Sequence, residues 1–86
     1  MTAEAIRQRI EASIPGARAW VEGGEAHFSA VVIASEFEGR TRIERHQMVY
    51  ALFRDEMASQ AIHALALRTL TPEERDKARQ PMEIGT

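Results

Sequence analysis

The sequence predicts a small α+β domain in the order α-β-β-α-β-α, a three-stranded mixed sheet with helices packed on one face. Three observations carry this. Apolar residues recur at helical spacing in two stretches, alternating or apolar runs of strand length lie between glycine signals, and two Thr-x-x-Glu capping boxes mark helix starts. At 86 residues and 9.7 kDa there is room for one core.

The first helix follows from Ala3, Ile6, Ile10 and Ile14, spaced three and four apart, and Pro15-Gly16 ends it. Ala17, Ala19 and Val21 then alternate with Arg18, Trp20 and Glu22, the pattern of a half-exposed edge strand over residues 17–22, and Gly23-Gly24 offers a hairpin loop. Residues 27–34 are apolar on both parities, as in a strand flanked by neighbours, and predict the central strand. A single turn over residues 35–39 follows, closed by Gly39.

Thr41 and Glu44 form the first capping box. Continuous helical phasing from there gathers Ile43, Tyr50, Phe53 and Met57 on one face, with Val49 at its flank, in a helix reaching Met57 or Ala58. Residues 61–70 predict the third strand, and Thr71-Pro72-Glu73-Glu74 caps a short third helix. A helix between the second and third strands implies a right-handed parallel crossover beside the antiparallel hairpin. The expected domain is 1–76, with 77–86 a flexible C-terminal tail.

Composition narrows the function. Hydrophobic residues at 44% and charged residues at 28% are ordinary for a globular chain. With no cysteine there is no disulfide, no thiol nucleophile and no thiolate cage of its own. A net charge of −2 argues against a globally basic nucleic-acid coat. No stretch is long and apolar enough for a membrane span, and Glu4 and Glu11 argue against a mitochondrial presequence. A cytoplasmic location is the default expectation. The serines lack a histidine–carboxylate pair at triad spacing, and Gly23-Gly24 lacks a phosphate loop's spacing, so no catalysis is expected.

Three histidines and three arginines remain. His46 falls on the apolar face of the second helix and reads as a partly buried, hydrogen-bonded core residue. His27 begins the central strand and His63 opens the third, so parallel neighbours would carry both to one edge of the sheet. Two imidazoles there suit a metal ion, although a zinc site wants three or four ligands and a partner would have to complete it. The structural alternative is that both are incidental. Arg40, Arg42 and Arg45 cluster at the start of the second helix, where phosphates bind; Glu36, Glu38 and Glu44 offset them in number, which favours solvated charge.

These residues carry a likeness. His27-Phe28, Phe37-Glu38-Gly39-Arg40, Arg45-His46-Gln47-Met48-Val49-Tyr50, and Ile62-His63-Ala64-Leu65 followed by Thr71-Pro72-Glu73-Glu74 together resemble the BolA-like family over residues 5–75. The resemblance implies a type II KH-like fold and a role beside monothiol glutaredoxins in [2Fe-2S] cluster handling and iron homeostasis. It implies a cluster shared with a glutaredoxin cysteine and glutathione, none being expected in the isolated protein. His63 is the ligand from the I-H-A motif and His27 is the candidate second. Imidazole in place of thiolate raises the potential of such a centre and makes binding sensitive to protonation. Arg75 stands where the family commonly has an aromatic residue, which bears on the packing of the third helix. The alternative from another class is a KH-like transcriptional regulator that binds DNA through Arg40, Arg42 and Arg45. A third reading is an adaptor that docks glutaredoxin without touching iron.

Overall fold

The computed structural model describes residues 1–79. Its elements are α1 (Ala3–Ser13), β1 (Arg18–Gly24), β2 (His27–Ile33), a 3-10 turn (Ser35–Phe37), α2 (Arg42–Tyr50), a second 3-10 turn (Ala51–Phe53), α3 (Arg54–Ala58), β3 (Ala64–Leu70) and α4 (Pro72–Arg79). The strand order is β1-β2-β3, with β1 antiparallel and β3 parallel to the central β2. This is the α+β fold and mixed sheet that the sequence predicts.

Helix starts are set by side chains. Thr2 accepts from the Ala5 amide, and Thr41 and Glu44 close a reciprocal capping box at α2. Thr71 and Glu74 form the same device at α4, at 3.1 Å and 2.9 Å. On the sheet's inner face, Phe28, Ala30, Val32 and Leu65 join Ile6, Ile10, Phe37, Val49 and Phe53 in one core. Phe37 and Phe53 are fully buried, and truncating either to alanine would cost about 3–5 kcal/mol.

Four local readings need correction. The hairpin turn is Glu25-Ala26, not Gly23-Gly24: β1 extends two residues beyond the expected end, and Gly23 and Gly24 pair with Phe28 and His27. The second helix is broken, because Phe53 leaves helical geometry at φ −123° and ψ 24°. Ile43 is 69% exposed rather than on the buried face. Its apparent alignment with Phe53 assumed one continuous helix, and three 3-10 residues advance the phase by about 60°. Within α2 itself Ile43 lies about 120° around from the buried Val49. Lastly, β3 starts at Ala64, so residues 61–63 are a bend, with Ile62 turned into the core and its amide bonded to the Glu56 carbonyl.

At the far end α4 reaches Arg79, three residues past the expected domain limit at 76. The remainder of the expected tail lies outside the described residues. Arg75, in the expected aromatic position, is half-buried and its Nε donates to Asp76. Among the described residues no helix is long and apolar enough to cross a membrane.

Candidate functional site

His27 and His63 meet at the N-terminal end of the parallel pair β2–β3. The register sets His27 opposite Ala64, the residue after His63. The Ala26 carbonyl accepts from both the His63 amide (2.7 Å) and the Ala64 amide (3.0 Å), tying the chain that enters β3 to the hairpin turn. That turn has φ of 54° at Glu25 and 70° at Ala26, the positive values a two-residue hairpin of matching twist requires. The two imidazoles are exposed, with centroids 5.1 Å apart and planes inclined at 44°. His63 thus stands one residue ahead of β3 instead of opening it.

One tautomer is selected. His27 Nδ1 lies 3.0 Å from the Glu25 carbonyl oxygen, which can only accept. Nδ1 therefore carries the proton, and Nε2 keeps a lone pair for a ligand. A metal about 2.1 Å from each of two coordinating imidazole nitrogens, at a tetrahedral angle, puts the ring centroids about 5 Å apart. The observed spacing suits two rings on one metal atom. Among the described residues no set of three or more His, Cys, Asp or Glu side chains is placed to hold a metal. The pair is half of a site.

The arginine cluster is divided. Arg45 donates from Nη1 and Nη2 to the two Glu74 carboxylate oxygens at 2.6 Å and 3.2 Å, from Nε to the Arg40 carbonyl, and from Nη1 towards the Thr69 carbonyl at 3.4 Å. Its guanidinium also sits over the Phe37 ring, 5.9 Å from the centroid, and its side chain is only 11% exposed. This hydrogen bond, with the Thr71 amide second, holds the Glu74 carboxyl below the usual carboxylate range. Arg40 donates from Nε to the Glu36 carbonyl, and Arg40 and Arg42 are exposed. The structure therefore does not present the three as one basic surface.

His46 is half-buried against Tyr50, edge to face at 6.3 Å, but its buried Nε2 has no hydrogen-bond partner. The expected hydrogen-bonded core histidine is thus packed without being satisfied at that nitrogen. Tyr50 instead donates its hydroxyl to the Leu65 carbonyl at 2.8 Å. Residue-level reading missed the positioning carbonyls of Glu25 and Ala26, and Glu74 as the partner of Arg45. Main-chain acceptors leave no residue-type signal, and Arg45 and Glu74 are 29 positions apart.

The family model for BolA-like proteins matches residues 5–74, most of the described chain. The chain belongs to the BolA-like family. The "DNA-binding transcriptional regulator BolA" of Haemophilus influenzae is 42% identical over 52 residues, covering 60% of this chain and 50% of that protein. "BolA-like protein 1" of Bos taurus is 35% identical over 78 residues, covering 79% of this chain and 57% of the relative. The chain thus spans only about half the length of these two curated relatives. Among solved structures, a bolA protein homologue from Coxiella burnetii is 42% identical, with a TM-score of 0.78 over 88% of this chain and 97% of that one.

Proposed function

We propose that this BolA-like chain is a partner of a monothiol glutaredoxin and contributes His63 and His27 to a [2Fe-2S] cluster held jointly with the glutaredoxin and glutathione, in iron–sulfur cluster trafficking or iron homeostasis. The observation that carries this is the exposed imidazole pair at 5.1 Å, with the His27 ring and the His63 main chain held by backbone carbonyls and the pair incomplete as a site among the described residues. The residues do three things. The Ala26 carbonyl holds His63 beside His27, the Glu25 carbonyl keeps the His27 proton on Nδ1, and both rings face solvent where a partner can reach them. A cluster with mixed imidazole and thiolate ligands has a higher reduction potential than an all-thiolate one.

The test is to mix the protein with cluster-loaded monothiol glutaredoxin and glutathione and record visible absorption and circular dichroism. A new spectrum is expected, lost in His63→Ala and altered less in His27→Ala. A wild-type spectrum in His63→Ala overturns its ligand role. Tight association with no spectral change in the wild type supports the adaptor reading.

The DNA-binding reading is supported by the name of the Haemophilus relative. On the proposed helix surface it is weakened, since Arg45 spends its donors inside the fold and leaves Arg40 and Arg42 beside Glu36, Glu38 and Glu44.

A further inference from the structure

The sheet has a second face that no described helix covers over most of its area. Arg18, Trp20 and Glu22 of β1 alternate away from the core, as do His27, Ser29 and Val31 of β2 and Ala64, Ala66 and Arg68 of β3. Strand register places Trp20, Val31 and Arg68 in one row across all three strands. Arg18 lies two residues from Trp20 on the same side. Trp20 is 53% exposed and is the single tryptophan of the chain. A hollow of about 700 Å³ follows this face and the β1 edge, with Arg18, Trp20, Ser29, Val31, Ala66 and Arg68 in its lining.

Arg7, Arg9, Arg45 and Arg75 each sit in an ion pair, whereas Arg18 and Arg68, like the exposed Arg40, Arg42 and Arg54, have no carboxylate within ion-pair distance among the described residues. Only Arg18 and Arg68 lie beside an exposed indole. Glu11, at the rim, is already engaged by Arg7 and the Ala19 amide. Glu22 is the one acidic side chain projecting from the open face itself, two residues from Trp20 on the side away from Arg18. The small side chains of Ser29 and Ala66, opposite each other in the adjoining row, leave clearance beside the indole.

We propose that this open face binds single-stranded nucleic acid, one base stacking on Trp20 and neighbouring phosphates meeting Arg18 and Arg68. An exposed aromatic flanked by free guanidiniums on a sheet is what an unstacked base and its backbone need. A duplex keeps its bases stacked and cannot cover the indole. An acidic peptide would meet the arginines but covers the indole only where it happens to carry an aromatic side chain, whereas every nucleotide brings a ring beside its phosphate. The strand rise puts Arg18 about 7 Å from Trp20 along β1, and the strand spacing puts Arg68 about 10 Å from it across the sheet, a span for a short run of nucleotides. Val31, at the centre of the row, lies about 13 Å along β2 from His27, which projects from the same face, so the stacking row and the imidazole pair occupy different ends of one surface.

The single tryptophan supplies the assay. Titrating the whole chain at low salt with a single-stranded oligothymidylate should quench its fluorescence saturably. Binding followed through a labelled oligonucleotide should weaken about 5- to 150-fold in Trp20→Ala, the range for losing one stacked base, with partial recovery in Trp20→Phe. Replacing Arg18 and Arg68 together by alanine should lower the slope of log affinity against log salt by about 1.4, some 0.7 for each phosphate contact to a single strand. All of these side chains are exposed, and far-ultraviolet circular dichroism checks that the variants fold. His63→Ala should leave this binding intact, which separates failure here from failure of the cluster reading. The proposal is overturned by absent quenching, by equal affinity for duplex of the same length, or by equal quenching with polyglutamate. Loss in Arg40→Ala/Arg42→Ala with full retention in the Arg18/Arg68 variant would also overturn it, placing the contact on the second helix.

Discussion

The two ends of the β2–β3 pair use their polar groups in opposite ways. Where the strands begin, the backbone does the holding: the Ala26 and Glu25 carbonyls fix His63 and His27, and both rings stay exposed. Near the end of β3, side chains do it: Arg45 spans the Arg40 and Thr69 carbonyls and Glu74, and is nearly out of water. Both ends join residues distant in sequence. Only the first leaves its functional groups unspent. Availability for chemistry thus depends on what the fold has consumed, not on residue type.

If backbone geometry holds the histidine end, a backbone lesion should break it while side-chain removal is harmless. Gly23 has φ +120°, and a Cβ there would run into the His27 carbonyl oxygen and stand 2.9 Å from the Phe28 Cα. Gly23→Ala should therefore cost about 2–3 kcal/mol in chemical denaturation, and should disturb the His27 and His63 ring resonances in NMR spectra. His27→Ala and His63→Ala should each move stability by less than about 0.5 kcal/mol. A histidine variant as destabilised as Gly23→Ala would erase the distinction between the two ends.

At the other end the side chains should matter. Arg45→Ala should lose about 1–2 kcal/mol, discounted because the Glu74 side chain is 42% exposed. The lowered Glu74 carboxyl adds a pH signature. A carboxyl whose folded value lies below its ordinary 4.5 stabilises fully above that value, and the contribution disappears as pH falls through the folded value. Stability of the wild type should fall on acidification, and Glu74→Gln should flatten part of that fall. Glu4 and Glu56 are lowered too, by hydrogen bonds from Arg7 and Arg9, so some acid dependence should persist in Glu74→Gln. An unchanged acid limb would show that the Arg45–Glu74 pair contributes nothing.

Element order was legible because it rests on local signals: capping boxes at Thr41 and Thr71, apolar spacing in α1, and the flanked pattern of β2. The placing of His27 and His63 at one end followed from that order. What escaped was set by tertiary packing. Phe53 fills the core by breaking the helix, which a constant helical phase does not register, and so Ile43 was misplaced. The fate of Arg45 turned on a carboxylate from α4, which local charge counting pairs with the wrong glutamates. The hairpin was misread because Gly23-Gly24 looks like a turn, while Glu25 and Ala26 accept positive φ against their preference.

That strained turn yields a modest gain instead of a loss, and the sharpest separation of the two ends. Two hydrogen bonds to the Ala26 carbonyl and one to the Glu25 carbonyl hold it in place, at a backbone cost that asparagine and glycine would largely avoid. Glu25→Asn/Ala26→Gly keeps both carbonyls and suits the sign of φ, so it should gain up to about 1 kcal/mol in stability. The His27 and His63 rings should remain together, with the spectrum of any shared cluster unchanged. A stability gain with loss of that spectrum would mean that the Glu25 side chain acts at the site, beyond its carbonyl. A loss of stability would mean that the turn side chains, not only its backbone, hold the histidine end together.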